Sequence, residues 1–185
     1  MDYELRVKEI PLETFILTGK IYDKNIINNL INCVKKIKDD RLSFKTHVKG
    51  LFTGFQALVN NEYFNQFLQL IQPQIQLIYQ DSFKITDAWG NICKQNEEIT
   101  EHKHGDNVFC GILYLTAGGP GTYFKQYDLT IDEEIGKYVL FHPNLLHSVK
   151  KIQKNIERIT VAFNMDEIKK WDNLEDIKWV NKNEI

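Results

Sequence analysis

The chain has 185 residues, a size that fits one domain with a substantial core. Apolar residues make up 43% and charged residues 26%, with a net charge of -2; this excludes a disordered chain and gives no electrostatic pull toward nucleic acid or an anionic membrane. Cys33, Cys93 and Cys110 form neither a Cys-x-x-Cys pair nor a disulfide framework, and no leader or bilayer-spanning apolar run is visible, so free thiols in a cytoplasmic setting are expected.

In chain order, Leu5 to Thr18 carries β-type residues broken by Pro11, which reads as two short strands or one strand bent at the proline. Ile26, Ile27, Leu30, Ile31, Val34 and Ile37 then fall on one stripe at helical spacing, predicting a helix over 25–38 with Asp23 as its N-cap. Gly50 to Gly54 reads as a loop or turn. A second helix is predicted from Glu62 through Leu70, with Phe64, Phe67, Leu68 and Ile71 toward the core, Pro73 kinking or ending it, and Ile75 and Ile78 placed to continue the stripe beyond. After Tyr79 the segments become short, β-branched and aromatic: 83–89, 108–116, 123–124, 137–141 and 158–164 read as strands, with Ala117-Gly118-Gly119-Pro120-Gly121 as a turn. The pattern predicts a mainly β protein, a sandwich or barrel with two helices outside it. It is expected to be one domain over 1–185, with supporting strands and helices in 1–80, a barrel core in 83–164 and a tail in 165–185. The tail's Ile168, Trp171, Leu174, Ile177 and Trp179 suit it to cap the barrel or to join two copies in a homodimer.

Four of the five histidines lie in the second half: His102, His104, His142 and His147. Within Glu101-His102-Lys103-His104-Gly105-Asp106, a strand would turn His102 and His104 to one face, and Asp106 would join them if the strand continued through Gly105. Two adjacent donors on a strand and a third from elsewhere leave part of a metal's surface open for substrate and oxygen. His147 follows a Pro-containing turn, where His142 reads as a structural or exposed residue. In Arg158 to Asn164, Ile159, Val161 and Phe163 share one face; Arg158, Thr160, Ala162 and Asn164 share the other. The second face makes a poor hydrocarbon core. It suits a carboxylate pocket, with the guanidinium binding in bidentate fashion and the hydroxyl adding a bond.

Trp89-Gly90-Asn91, His102-Lys103-His104, Gly111 to Leu115, Leu140-Phe141-His142-Pro143, His147-Ser148-Val149 and Arg158 to Asn164 together resemble the 2-oxoglutarate/iron(II) oxygenase superfamily. The similarity is to its prolyl-hydroxylase-like branch, which includes small bacterial and phage proteins, and it covers roughly the C-terminal half. The resemblance implies a double-stranded β-helix (jelly-roll, cupin-like) barrel and an Fe(II) site of His102, His104 and His147. It also implies that Arg158, Tyr114, Thr160 and Asn91 bind 2-oxoglutarate and that Trp89 lines the pocket. The superfamily has Asp or Glu where this chain has His104, so a triad of His104, Asp106 and His147 stands as the alternative. The implied activity is hydroxylation of a C–H bond in a protein or small molecule, using oxygen and 2-oxoglutarate and releasing succinate and carbon dioxide, in a host's cytoplasm if the source is a phage. Substrate loops are expected over 94–99 and 122–136. The competing expectations are a cupin-like metal-binding protein without turnover and a three-histidine dioxygenase that uses no 2-oxoglutarate.

Overall fold

A computed structural model describes residues 4–7, 15–37, 39, 46–78, 83–105 and 107–168. Strands β1 (Glu4–Val7) and β2 (Ile16–Lys20) are separate and antiparallel, the first of the two arrangements expected. Helix α1 (Lys24–Lys36) starts where Asp23 caps it, its carboxylate accepting the N–H groups of Asn25 and Ile26 at 2.9 and 3.1 Å. Its buried stripe is Ile26, Ile27, Leu30 and Val34, as the spacing predicts.

One expectation differs from the structure and one is narrowed by it. Gly50 to Gly54 contains a short strand, β3 (Leu51–Phe52), because a Cβ on Gly50 would strike the Ile92 carbonyl; the glycine serves strand approach as well as turning. Helix α2 (Glu62–Ile78) does not end at Pro73 but continues past it, with Ile75 buried on the continued stripe. The proline ring is exposed while Gln74 and Ile75 beside it are buried, so side-chain packing carries the helix past one lost backbone donor. Asn61 caps this helix by accepting the N–H groups of Tyr63 and Phe64 at 3.0 and 3.1 Å.

The second half supplies β4 (Phe83–Cys93), β5 (Ile99–His102), β6 (Phe109–Tyr114), β7 (Thr122–Phe124), β8 (Leu129–Ile131), β9 (Lys137–Phe141), β10 (His147–Val149) and β11 (Arg158–Glu167). A seven-stranded sheet has the order β1-β2-β9-β6-β11-β4-β3, and a four-stranded sheet has β5-β10-β7-β8. Residues 122–136, expected as a substrate loop, instead build β7 and β8, where Thr122 and Phe124 are fully buried.

Strand β11 divides its residues by alternation, and its neighbour β4 does so with a one-residue shift at Thr86. Ile159, Val161, Phe163 and Met165 of β11 pack toward the helices, with the Phe163 ring 5.4 Å from Phe64 and 5.9 Å from Phe67. Arg158, Thr160, Ala162 and Asn164 face the other way, all buried. That inner face meets the small sheet through two clusters. One is built on Ile112, Tyr114, Phe124 and Phe141, the other on Phe52, Trp89, Ile99 and Val149. The architecture is thus mainly β, two antiparallel sheets with two helices against the outer face of one. Among the described residues no helix is long and apolar enough to cross a membrane. Trp171, Leu174, Ile177 and Trp179 of the tail lie outside the described residues.

Candidate active site

A cavity of about 300 Å³ opens between the sheets, with His102, His104, His147, Arg158, Thr160, Asn91 and Trp89 all in its wall. His102 ends β5 and His147 begins β10, directly opposite in register. Their ring centroids are 4.2 Å apart; His104 lies 5.2 Å from His147 and 5.4 Å from His102. One ring nitrogen from each of the three lies within 4.8 Å of the others.

The same local device orients two of these rings. The Nδ1 of His102 lies 2.9 Å from the Thr100 carbonyl and that of His147 2.9 Å from the Leu145 carbonyl. A carbonyl can only accept, so Nδ1–H donates and each Nε2 keeps its lone pair for a metal. Burial keeps the rings neutral. It lowers His102 to about 4, against the weaker opposing effect of the Thr100 bond. His104 is lowered by burial, and His147 well below the ordinary imidazole range by burial and then by repulsion from His102 and His104. Neutral imidazole is the form that ligates.

His104 reaches the cluster by a different route from the one its sequence suggests. Strand β5 stops at His102, so alternation does not place His104. Its backbone N–H instead donates to the Pro143 carbonyl at 3.0 Å, and its ring stacks on Trp89 at 6.0 Å. Asp106, the alternative donor, lies outside the described residues. Among those described, no carboxylate joins the three imidazoles. His142 stays out of the cavity wall and accepts the Asn144 N–H at 3.2 Å within its turn.

Arg158 makes one part of the cavity wall cationic. Arg158 is 1% exposed, and its Nε donates to the Pro120 carbonyl at 3.2 Å. A terminal nitrogen donates to Thr122 Oγ1 at 3.4 Å, and the guanidinium carbon lies 5.4 Å from the Tyr114 ring centre. Tyr114 donates its phenol hydrogen to the same Thr122 oxygen at 2.6 Å. Burial pushes that phenol up, with Arg158 opposing. Among the described residues no carboxylate forms an ion pair with Arg158. A buried cation without a counter-ion is costly, and a cavity at its tip admits an anion that would offset the cost. Thr160 sits opposite both Tyr114 and Asn91 in the sheet. Asn91 is 4% exposed, and its Oδ1 has no partner among the described residues. Trp89 packs edge-on to Phe52 and Phe55, at 6.2 and 5.2 Å, as an aromatic wall near the imidazoles.

Two wall residues escape the sequence pattern. Thr122 holds both Tyr114 and Arg158, but a threonine after Pro-Gly carries no signal of that role. His47 stacks on His102 at 4.7 Å with rings 6° from parallel, and its Nδ1 lies 3.2 Å from Thr100 Oγ1. Its position, some 55 residues before His102, gives no spacing that a ligand motif would use.

Known structures share this arrangement of sheets. The viral collagen prolyl hydroxylase of Paramecium bursaria Chlorella virus-1, solved with 2-oxoglutarate, superposes with a TM-score of 0.61 at 15% identity, covering 90% of this chain and 96% of that one. This is the fold of the 2-oxoglutarate/iron(II) oxygenases. A prolyl-4-hydroxylase of Pseudomonas putida shares it with a TM-score of 0.59 and 12% identity, over 90% of this chain and 93% of that one. HygX of Streptomyces hygroscopicus, solved with nickel, 2-oxoglutarate and hygromycin B, shares it at 0.60 and 8% identity, over 83% and 82% of the two chains. No family model matches the sequence, and no curated protein does. The oxygenase likeness is therefore one of fold, running over most of the chain, including the N-terminal half where the sequence resembles nothing.

Proposed function

We propose that the protein is an iron(II)- and 2-oxoglutarate-dependent oxygenase that hydroxylates a C–H bond of a protein or small-molecule substrate. The observation that carries the proposal is a single cavity. It joins three neutral imidazoles, with donor nitrogens within 4.8 Å, to a buried guanidinium without a carboxylate partner among the described residues. An imidazole set of this kind suits a first-row divalent ion. Held by His102, His104 and His147, iron would supply oxygen activation, with 2-oxoglutarate as the electron source leaving as succinate and carbon dioxide.

The chain's own residues do the rest. Thr100 and Leu145 fix the tautomers of His102 and His147 through their carbonyls, and burial keeps protons off the three rings. Arg158 takes the far carboxylate of 2-oxoglutarate in its fork. Thr122 holds that fork in place while engaging Tyr114, and Thr160 and Asn91 offer polar atoms along the dicarboxylate's path. Trp89, Phe52 and Phe55 keep the neighbouring wall dry, which limits side reactions. Two of the structures of this fold are prolyl hydroxylases, so a proline-containing peptide is the first substrate to assay.

One feature favours a second reading. An imidazole at 104 leaves the metal without an anionic protein ligand among the described residues, as a metal-binding protein without turnover would have. The deciding experiment supplies Fe(II), oxygen and labelled 2-oxoglutarate and measures succinate, with and without candidate peptides. The proposal expects succinate to depend on both Fe(II) and 2-oxoglutarate and to vanish in His147→Ala. Tight Fe(II) binding with no succinate under any condition would support the second reading instead.

A further inference from the structure

Glu133 is a buried carboxylate, 7% exposed, that is not in the cavity wall and takes no direct part in the site described above. It sits between β8 and β9. Oε1 accepts the Thr116 hydroxyl at 3.0 Å, and Oε2 accepts the Gly119 N–H at 2.7 Å. Both bonds lead to Arg158. Thr116 Oγ1 also accepts the N–H of Ile159, the next residue in β11, at 2.8 Å. Pro120, the residue after Gly119, accepts Arg158 Nε at 3.2 Å. The path therefore closes on itself, running from Glu133 through Thr116 to the backbone at 159 and returning from the guanidinium through Pro120 and Gly119.

Gly119 shows how tightly the loop is drawn. A Cβ there would lie 2.5 Å from Glu133 Oε2 and 3.6 Å from Arg158 Cβ. Burying a carboxylate is unfavourable, and Glu133 has no ion-pair partner among the described residues. A turn needing only support could use a neutral acceptor at less cost. A carboxylate supplies two strong acceptors at once, one for each of the two segments that flank the guanidinium.

We propose that Glu133 is a positioning residue for the Arg158 guanidinium, clamping the 118–121 turn and the start of β11 on either side of it. This rests on Arg158 being the 2-oxoglutarate anchor.

The test is calorimetric titration of 2-oxoglutarate into the Ni(II)-loaded full chain. Glu133→Gln keeps the shape but loses one of the two acceptors. Thr116→Val breaks the other link, and Thr116→Ser retains it. The expected result is 2-oxoglutarate binding about tenfold weaker in Glu133→Gln and Thr116→Val. Ni(II) binding should be unchanged and Thr116→Ser should match the parent protein. In turnover the KM for 2-oxoglutarate should rise while kcat holds. A folded Glu133→Gln with parental 2-oxoglutarate affinity would overturn the proposal; if that variant does not fold, parental affinity in Thr116→Val does so. Arg158→Met separates the two levels. If it also binds 2-oxoglutarate normally, the anchor assignment itself falls; if it alone is impaired, only the role of Glu133 falls.

Discussion

Replacing Arg158 by methionine separates the cost of the guanidinium to the empty fold from its value to a ligand. In the structure the group makes two hydrogen bonds, to Pro120 and Thr122, and no ion pair among the described residues. Losing those bonds costs about 1 kcal/mol each. Removing a buried charge returns several kcal/mol of desolvation, and methionine fills much of the same volume. The ligand-free protein should therefore keep its stability or gain some. Its Tm should stay within about 4 °C of the parent or exceed it, since 1 kcal/mol shifts a domain of this size by roughly 2–4 °C. Binding should behave in the opposite way. A ligand carboxylate left buried and unpaired costs about 3–5 kcal/mol, which weakens 2-oxoglutarate by two to three orders of magnitude or more. Thermal melts and calorimetry on one preparation measure both quantities. A Tm lowered by 10 °C or so would mean that the guanidinium already serves as a structural ion-pair partner, and an unchanged Kd would mean that the dicarboxylate binds elsewhere.

Thr122→Val should destabilise the protein by about 1–3 kcal/mol, because it strands the fully buried Tyr114 hydroxyl, and should weaken 2-oxoglutarate severalfold; parental values for both would refute the shared-acceptor role. The chelated protein should lose stability as pH falls below about 6.5, since the unfolded chain then binds protons that the buried histidines refuse. The decline continues toward about 4, where His102 itself protonates, and is worth on the order of 3 kcal/mol for that residue. A denaturant midpoint that stays flat between pH 7.5 and 4.5 would contradict it. Gly111→Ala places a methyl group against the Phe163 ring and should cost about 1–3 kcal/mol of stability with the metal site intact, read from denaturant melts and Ni(II) titration. A neutral result would mean that the ring has room to move.

The parts of the molecule legible in its sequence are those with a period. Alternation in Arg158 to Asn164 separates the helix-packed face from the cavity face without error, and the 3.6-residue stripe finds α1 together with its cap. Pro73 does not end α2, because the buried Gln74 and Ile75 on its far side outweigh the loss of one backbone donor. Gly50 misleads because a glycine allowing two chains to touch looks like one making a turn. In the site, His102 and His147 are marked by the strands they terminate. Thr122 and His47 join the wall through contacts with Arg158 and His102, 36 and 55 residues along the chain, and no local pattern encodes such contacts. His104 is found for an imperfect reason: it enters the cluster from a segment held by Pro143, not from the pleat that its spacing from His102 suggests.

The placement of His104 leaves the three-imidazole cluster open to change at one point. Two of its donors are locked into hydrogen-bonded strands, so altering their reach would disturb a sheet. The third hangs from chain just beyond the last rung of the ladder, where side chains of other lengths and charges can be exchanged without shifting a single strand. A carboxylate placed at 104 would then lower the charge on any ion held by the cluster while leaving the strands as they are.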